Sequence, residues 1–180
     1  MIASSLMTLL ILGVVTANLF GIRLYEITRL KLGASDESRM AISKIVDEIR
    51  SAKMVKVGEG GLASFVEDPD ATIQQGRALQ IYASTNTNSF VRYFWDSADR
   101  RLKRTTNGSS AFSVVANSIS NQFVFTVEDH MGNIVTNNQN NRVIGLTLQY
   151  YQLAYPVVNI PGPLFEYYQL RTKITRRVLE

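Results

Sequence analysis

The chain contains no cysteine, which excludes a disulfide framework, a thiolate zinc site and thiol catalysis. His130 is its single histidine and Trp95 its single tryptophan. One histidine cannot build a His-Glu-x-x-His helix, and neither a Gly-x-x-x-x-Gly-Lys-Ser/Thr loop nor a Gly-x-Ser-x-Gly elbow occurs. Proline is scarce, with four residues of which Pro69 is the first, so nothing before that position forbids a long helix. Charge is absent at the start: no side chain from Met1 to Ile22 is charged. The net charge of +4, with Lys and Arg scattered, does not mark a nucleic-acid binder.

What is present divides the chain unevenly. Its 180 residues suit one domain with an appendage. The run Leu6 to Val15 is almost wholly apolar, and as a helix Met1 to Ile22 would be roughly 33 Å long, enough for a bilayer core of about 30 Å. A cleaved signal peptide fits poorly: the basic start is missing, and Thr16-Ala17-Asn18 is a weak cleavage site. The helical pattern also outlasts the apolar run. Leu24, Ile27 and Leu30 keep a three-residue spacing, and Ile42, Ile45, Val46, Ile49 and Ala52 form the apolar stripe of an amphipathic helix. The opposite face holds Lys44, Asp47, Glu48 and Arg50. One helix from near Met1 to about Met54 is expected, with Gly33 to Glu37 as its weak point, where Ser35 could cap a second helix.

Gly58, Gly60 and Gly61 form a loop signal, and from about Val55 onward the sequence turns to short runs of β-branched and aromatic residues split by Asn, Ser, Gly and Asp. Strands are predicted at Ala78 to Ser84, Phe90 to Asp96, Arg101 to Thr105, Val143 to Ala154 and Tyr167 to Val178, and Gln122 to Glu128 and Asn133 to Thr136 flank a hairpin turn at His130-Met131-Gly132. Tight turns imply antiparallel pairing. Asn137 to Asn141 and Pro156 to Pro163 read as loops. The expected fold class is α+β: a long N-terminal helix, membrane-spanning in its first half, packed on an antiparallel β-sheet. The expected division is 1–22 as transmembrane helix, 23–54 as its amphipathic continuation and 55–180 as a β-rich globular domain.

These residues resemble a family. Type IV pilins and type II secretion pseudopilins pair a helix that is apolar in its first half with a β-rich domain packed on its second. The run Met1 to Ile11 is similar to the stretch that follows their Gly-Phe-Thr-Leu-x-Glu motif. Ser38 to Ala52, and the pairing of Val91-Arg92-Tyr93-Phe94 with Arg101-Leu102-Lys103-Arg104, resemble the J-type minor pseudopilins. The motif itself does not occur, so the family's processing site, methylated residue and assembly glutamate map onto no position of this sequence. Its leader would also supply basic residues ahead of the helix; without them Arg23, Arg29 and Lys31 place the following domain on the cytoplasmic side.

The resemblance implies a structural minor pilin-like subunit of a type II secretion or type IV pilus filament, and not an enzyme. Its partners would be other pilin-like subunits and inner-membrane lipid, with no nucleic acid. It would be a single-pass membrane protein whose globular domain is extracytoplasmic. Assembly would proceed by helix bundling through Ser4, Leu6, Leu9, Leu10, Gly13, Val14 and Gly21, the small residues allowing close approach. Packing of helix on sheet falls to Ile42, Ile45, Val46, Ile49 and Ala52. The alternative is a single-pass membrane-anchored extracytoplasmic binding or assembly domain that forms no filament. An exported hydrolase with an uncleaved anchor is a further rival, for which no converging carboxylate pair speaks.

No catalytic residue, metal site or cofactor is expected. Glu128-Asp129-His130 sits in a turn that splays its side chains. Asp68-Pro69-Asp70 and Asp129-Gly132-Asn133 have the chemistry of ordinary turns and lack the spacing of a calcium loop. Arg100 to Arg104 lies on a strand, so its charges divide between two faces. Trp95 and the pairs Tyr150-Tyr151 and Tyr167-Tyr168 are expected as core and cross-strand contacts.

Overall fold

The computed structural model describes residues 2–138, 143–153 and 165–177, and within these the side chains except those of 2–5, 23, 26, 27, 29–38, 152, 153 and 165–167. Ser4, the loop Pro156 to Pro163, and most of the Asn137 to Asn141 stretch, all singled out above, lie outside the described residues or side chains. The chain divides into two compact units, Met1–Glu37 and Ser38–Glu180.

Helix α1 covers Ile2–Ser51 and continues through Gly33. Within the second unit its stripe is buried: Ala41, Ile45, Ile49 and Ala52 belong to the core, with Ile42 and Val46 packed at its margin. Each fully buried isoleucine contributes about 1.5–3 kcal/mol of transfer free energy. Arg50 lies in the last turn, where a cation complements the exposed carbonyls. The helix ends because the chain is taken over by a sheet, since the Lys53 amide already donates to the Tyr82 carbonyl at 2.9 Å.

The strands follow as β1 (Met54–Gly60), β2 (Phe65–Glu67), β3 (Gln75–Gly76), β4 (Ala78–Tyr82), β5 (Val91–Asp96), β6 (Arg101–Thr106), β7 (Ser113–Ala116), β8 (Phe125–Glu128), β9 (Val143–Leu153) and β10 (Phe165–Thr175). They form a six-stranded sheet, β2-β1-β4-β5-β6-β7, and a four-stranded sheet, β10-β9-β8-β3. All pairs are antiparallel. Ile144, Leu146, Leu148 and Tyr150 alternate inward along β9. They share one core with Val55, Val57, Leu79, Ile81, Tyr93 and Leu102 of the larger sheet. Period-two burial of this kind is what a sheet with one buried face requires.

Two parts of the expected fold are corrected. The second unit is not one sheet under a helix but two sheets, ten strands in all among the described residues. Alternation reveals that a run is a strand, not which sheet it joins. The switch occurs at β3: Gly76 pairs with Phe125 in the smaller sheet, and two residues later Ala78 pairs with Gly58 in the larger. A Cβ on Gly76 would lie 2.1 Å from the Gly58 carbonyl oxygen, so only glycine lets these two backbones touch.

The second correction concerns the membrane. Among the described residues, no helix is long and apolar enough to cross one. The membrane-spanning first half, and the single-pass localisation with an extracytoplasmic domain that rested on it, are overturned by this finding.

Candidate assembly surface

The feature of the first unit that stands apart is uncovered apolar surface. From Leu6 to Tyr25 the large apolar side chains are exposed: Leu9 at 73%, Leu12 at 63% and Phe20 at 64%. Leu9, Leu10, Ile11 and Leu12 are consecutive and all exposed. Successive helical residues are about 100° apart, so these four look out in four directions and the apolar surface goes round the helix. Leu6, Leu9, Leu10 and Val14, nominated from the sequence, all lie on it. Around Gly13 and Gly21 there is open space where a side chain would stand. Thr16 donates its hydroxyl to the Leu12 and Gly13 carbonyls, both at 2.9 Å, and Thr28 donates to Leu24 at 2.8 Å. These hydroxyls carry their own partners into any dry contact.

The polar side chains of the second unit serve chiefly to tie elements together. Glu48 of α1 accepts from the Tyr93 hydroxyl at 2.7 Å and from Arg104 Nη2 at 2.8 Å. Burial, then the Glu48 carboxylate, pushes the Tyr93 phenol well above its usual range. Arg104 is held charged by Glu48 against the opposing effect of burial. On the other face of the larger sheet, Arg92 donates to Gln80 at 2.9 Å and to the Gly61 and Leu62 carbonyls. Its guanidinium lies over the Phe65 and Phe90 rings. Lys103 joins Asp96 and Asp99, each at 2.7 Å, and those bonds raise its pKa. The run Arg101 to Arg104 is thus divided by the strand: Leu102 enters the core and Arg104 meets the helix, while Lys103 stands on the opposite face.

In the smaller sheet Glu128 reaches across the central strand to Arg171 at 2.7 Å and Lys173 at 3.0 Å. It passes over Gly145, where a Cβ would meet its carboxylate at 2.4 Å. Burial works to raise its pKa, and hydrogen bonds from Arg171, Lys173 and Thr126 outweigh that, so it stays below the ordinary value. Asp129 caps the following turn, accepting from the Gly132 and Asn133 amides at 2.6 and 2.8 Å. His130 is exposed on that turn. The three side chains of Glu128-Asp129-His130 therefore do three separate things. Among the described residues no three His, Asp or Glu side chains come together as a metal site.

Trp95 is partly buried and donates to the Ile119 carbonyl at 3.0 Å. Tyr150 is buried against Tyr168 across the β9–β10 pair, with ring centroids 6.2 Å apart. The helix-to-strand salt bridge of Glu48 and the cross-strand ones of Glu128 were not foreseen. Gly145 inside a long strand is the one sequence signal that a side chain crosses there.

Comparison of the chain with protein-family models, characterised proteins and solved structures finds no match. The candidate surface thus rests on its own geometry.

Proposed function

We propose that this chain is a non-enzymatic structural subunit that assembles with copies of itself, or with pilin-like subunits of the same kind, through the apolar stretch of α1. One observation carries the reading: Leu9, Leu10, Ile11 and Leu12 are exposed in succession, all round the helix. Monomeric proteins rarely leave so continuous an apolar surface uncovered. A coiled-coil dimer covers only one stripe. Apolar surface on every side calls for several neighbouring helices, as in the core of a filament. Gly13, Ala17 and Gly21 recur at four-residue spacing and give a smooth strip for close approach. No charged side chain falls between Leu6 and Ile22, so like surfaces meet without burying an ion.

This supports the subunit of a type II secretion or type IV pilus filament that the resemblance implies, with β-rich units decorating a helical bundle. The test is light scattering and electron microscopy on the full chain, beside a Leu9→Glu, Leu12→Glu variant. Ordered oligomers or filaments, lost in the variant while its sheets remain by circular dichroism, are the expected result. A monomeric wild-type chain would overturn the reading. So would adsorption to lipid vesicles with no association between copies.

A further inference from the structure

The start of β1, the turn after β4 and the end of β10 enclose a cleft of about 540 Å³, within the usual range for small-molecule sites. Its charge is not balanced. Lys56 is matched by Glu67 at 2.5 Å, but among the described residues no acid pairs with Lys53 or Arg176, which also line it. Arg176 is held in place because its Nη1 donates to the Lys53 carbonyl. Its Nε, shut away from water, has no acceptor among the described residues. A buried donor left unmade costs about 1–3 kcal/mol, and an arriving oxygen would supply the missing acceptor. Ser84, Thr85, Thr87 and Asn138 also line the cleft.

We propose that this cleft binds an anionic sugar, with Arg176 and Lys53 taking its phosphate or carboxylate and Ser84, Thr85 and Thr87 meeting its ring. The guanidinium offers oriented donors to an oxyanion, and the lysine a mobile point charge. Serine, threonine and asparagine both donate and accept, as ring hydroxyls require. Met54, half-buried, adds apolar surface to the lining. The inference is independent of helix bundling.

The full chain is titrated calorimetrically with glucose 6-phosphate, glucuronate, glucose and inorganic phosphate. Binding of at least one anionic sugar, at least tenfold tighter than either glucose or inorganic phosphate, is expected, and raising the salt should weaken it. Lys53→Gln and, separately, Arg176→Gln should each weaken it at least fivefold, whereas Arg101→Gln on another edge should not. Lys53 contributes only its backbone to the fold, so its variant remains informative if Arg176→Gln is unstable. Absence of binding by both anionic sugars overturns the proposal, as does equal binding of glucose or of inorganic phosphate. Unchanged binding in Lys53→Gln overturns it too.

Discussion

Between Leu6 and Tyr25, α1 exposes leucine, isoleucine, valine and phenylalanine on every side; between Ala41 and Ile49 the same helix hides its apolar residues on one stripe and turns charge to the other faces. The first stretch is the more hydrophobic, yet the second is the one buried. Burial within one chain follows pattern as much as composition. A stripe can be covered by a sheet of the same chain, whereas an apolar cylinder has too many faces for one sheet to cover. The sheets that bury Ile45 and Ile49 give them a stake in folding. The stretch around Leu9 and Leu12 is exposed and has no such stake.

This contrast predicts large stability effects in the packed unit and very small ones in the bare stretch. The largest falls where the two sheets touch. Gly76→Ala forces a Cβ against the Gly58 backbone, which cannot move aside as a side chain can. More than about 3 kcal/mol should be lost, measured by urea denaturation. Next comes Ile49→Ala, with its side chain fully buried, at about 3 kcal/mol. Leu9→Ala, which removes a similar side chain from the exposed stretch, should change the unfolding free energy of the second unit by less than about 0.5 kcal/mol. Equal losses in these two variants would erase the contrast.

Smaller effects sharpen it. Glu48 ties the buried part of α1 to Tyr93 and Arg104. Glu48→Gln should cost about 1–2 kcal/mol, and a double-mutant cycle with Tyr93→Phe should show coupling between them. The smallest effect depends on pH. Burial, with the neighbouring Glu59 charge, pushes the Asp68 carboxyl up to about 6 from 3.8. The folded state therefore holds this proton more tightly than the unfolded one. Its contribution is fully present below pH of about 4 and is lost as pH rises through about 6. Solvent screening leaves this on the order of 1 kcal/mol. Asp68→Asn should flatten that slope and stabilise the protein at neutral pH by a similar amount, as seen in denaturation at a series of pH values.

Much of the local structure was legible. Ile42, Ile45, Val46, Ile49 and Ala52 announce a buried stripe by spacing alone, because helical periodicity places them on one side. The strand runs at Ala78, Phe90, Arg101 and Val143 were legible through β-branched and aromatic residues between turn signals. The assignment of strands to two sheets was not, because β3 is only Gln75–Gly76 and its pairing with β8 is a long-range event. Nor were the partners of Glu48 and Glu128. A lone glutamate on a helix or strand carries no mark of an arginine 56 or 43 residues away. The cleft holding Lys53 and Arg176 was illegible for the same reason, since its walls come from opposite ends of the second unit.

The sequence by itself determined the buried stripe of α1, the longer strand runs and where charge is withheld, because these depend on local periodicity and side-chain chemistry; it did not mark β1, which runs through Gly58 and Gly60 where a loop was expected, nor β2, β3 and β7. Tertiary structure alone decided that the strands divide into two sheets across the Gly58–Gly76 contact. It alone decided that Glu128 meets Arg171 over Gly145, and that Lys53 and Arg176 line one cleft. Those outcomes depend on which distant backbones can approach closely, and that is set by the packing of the whole unit.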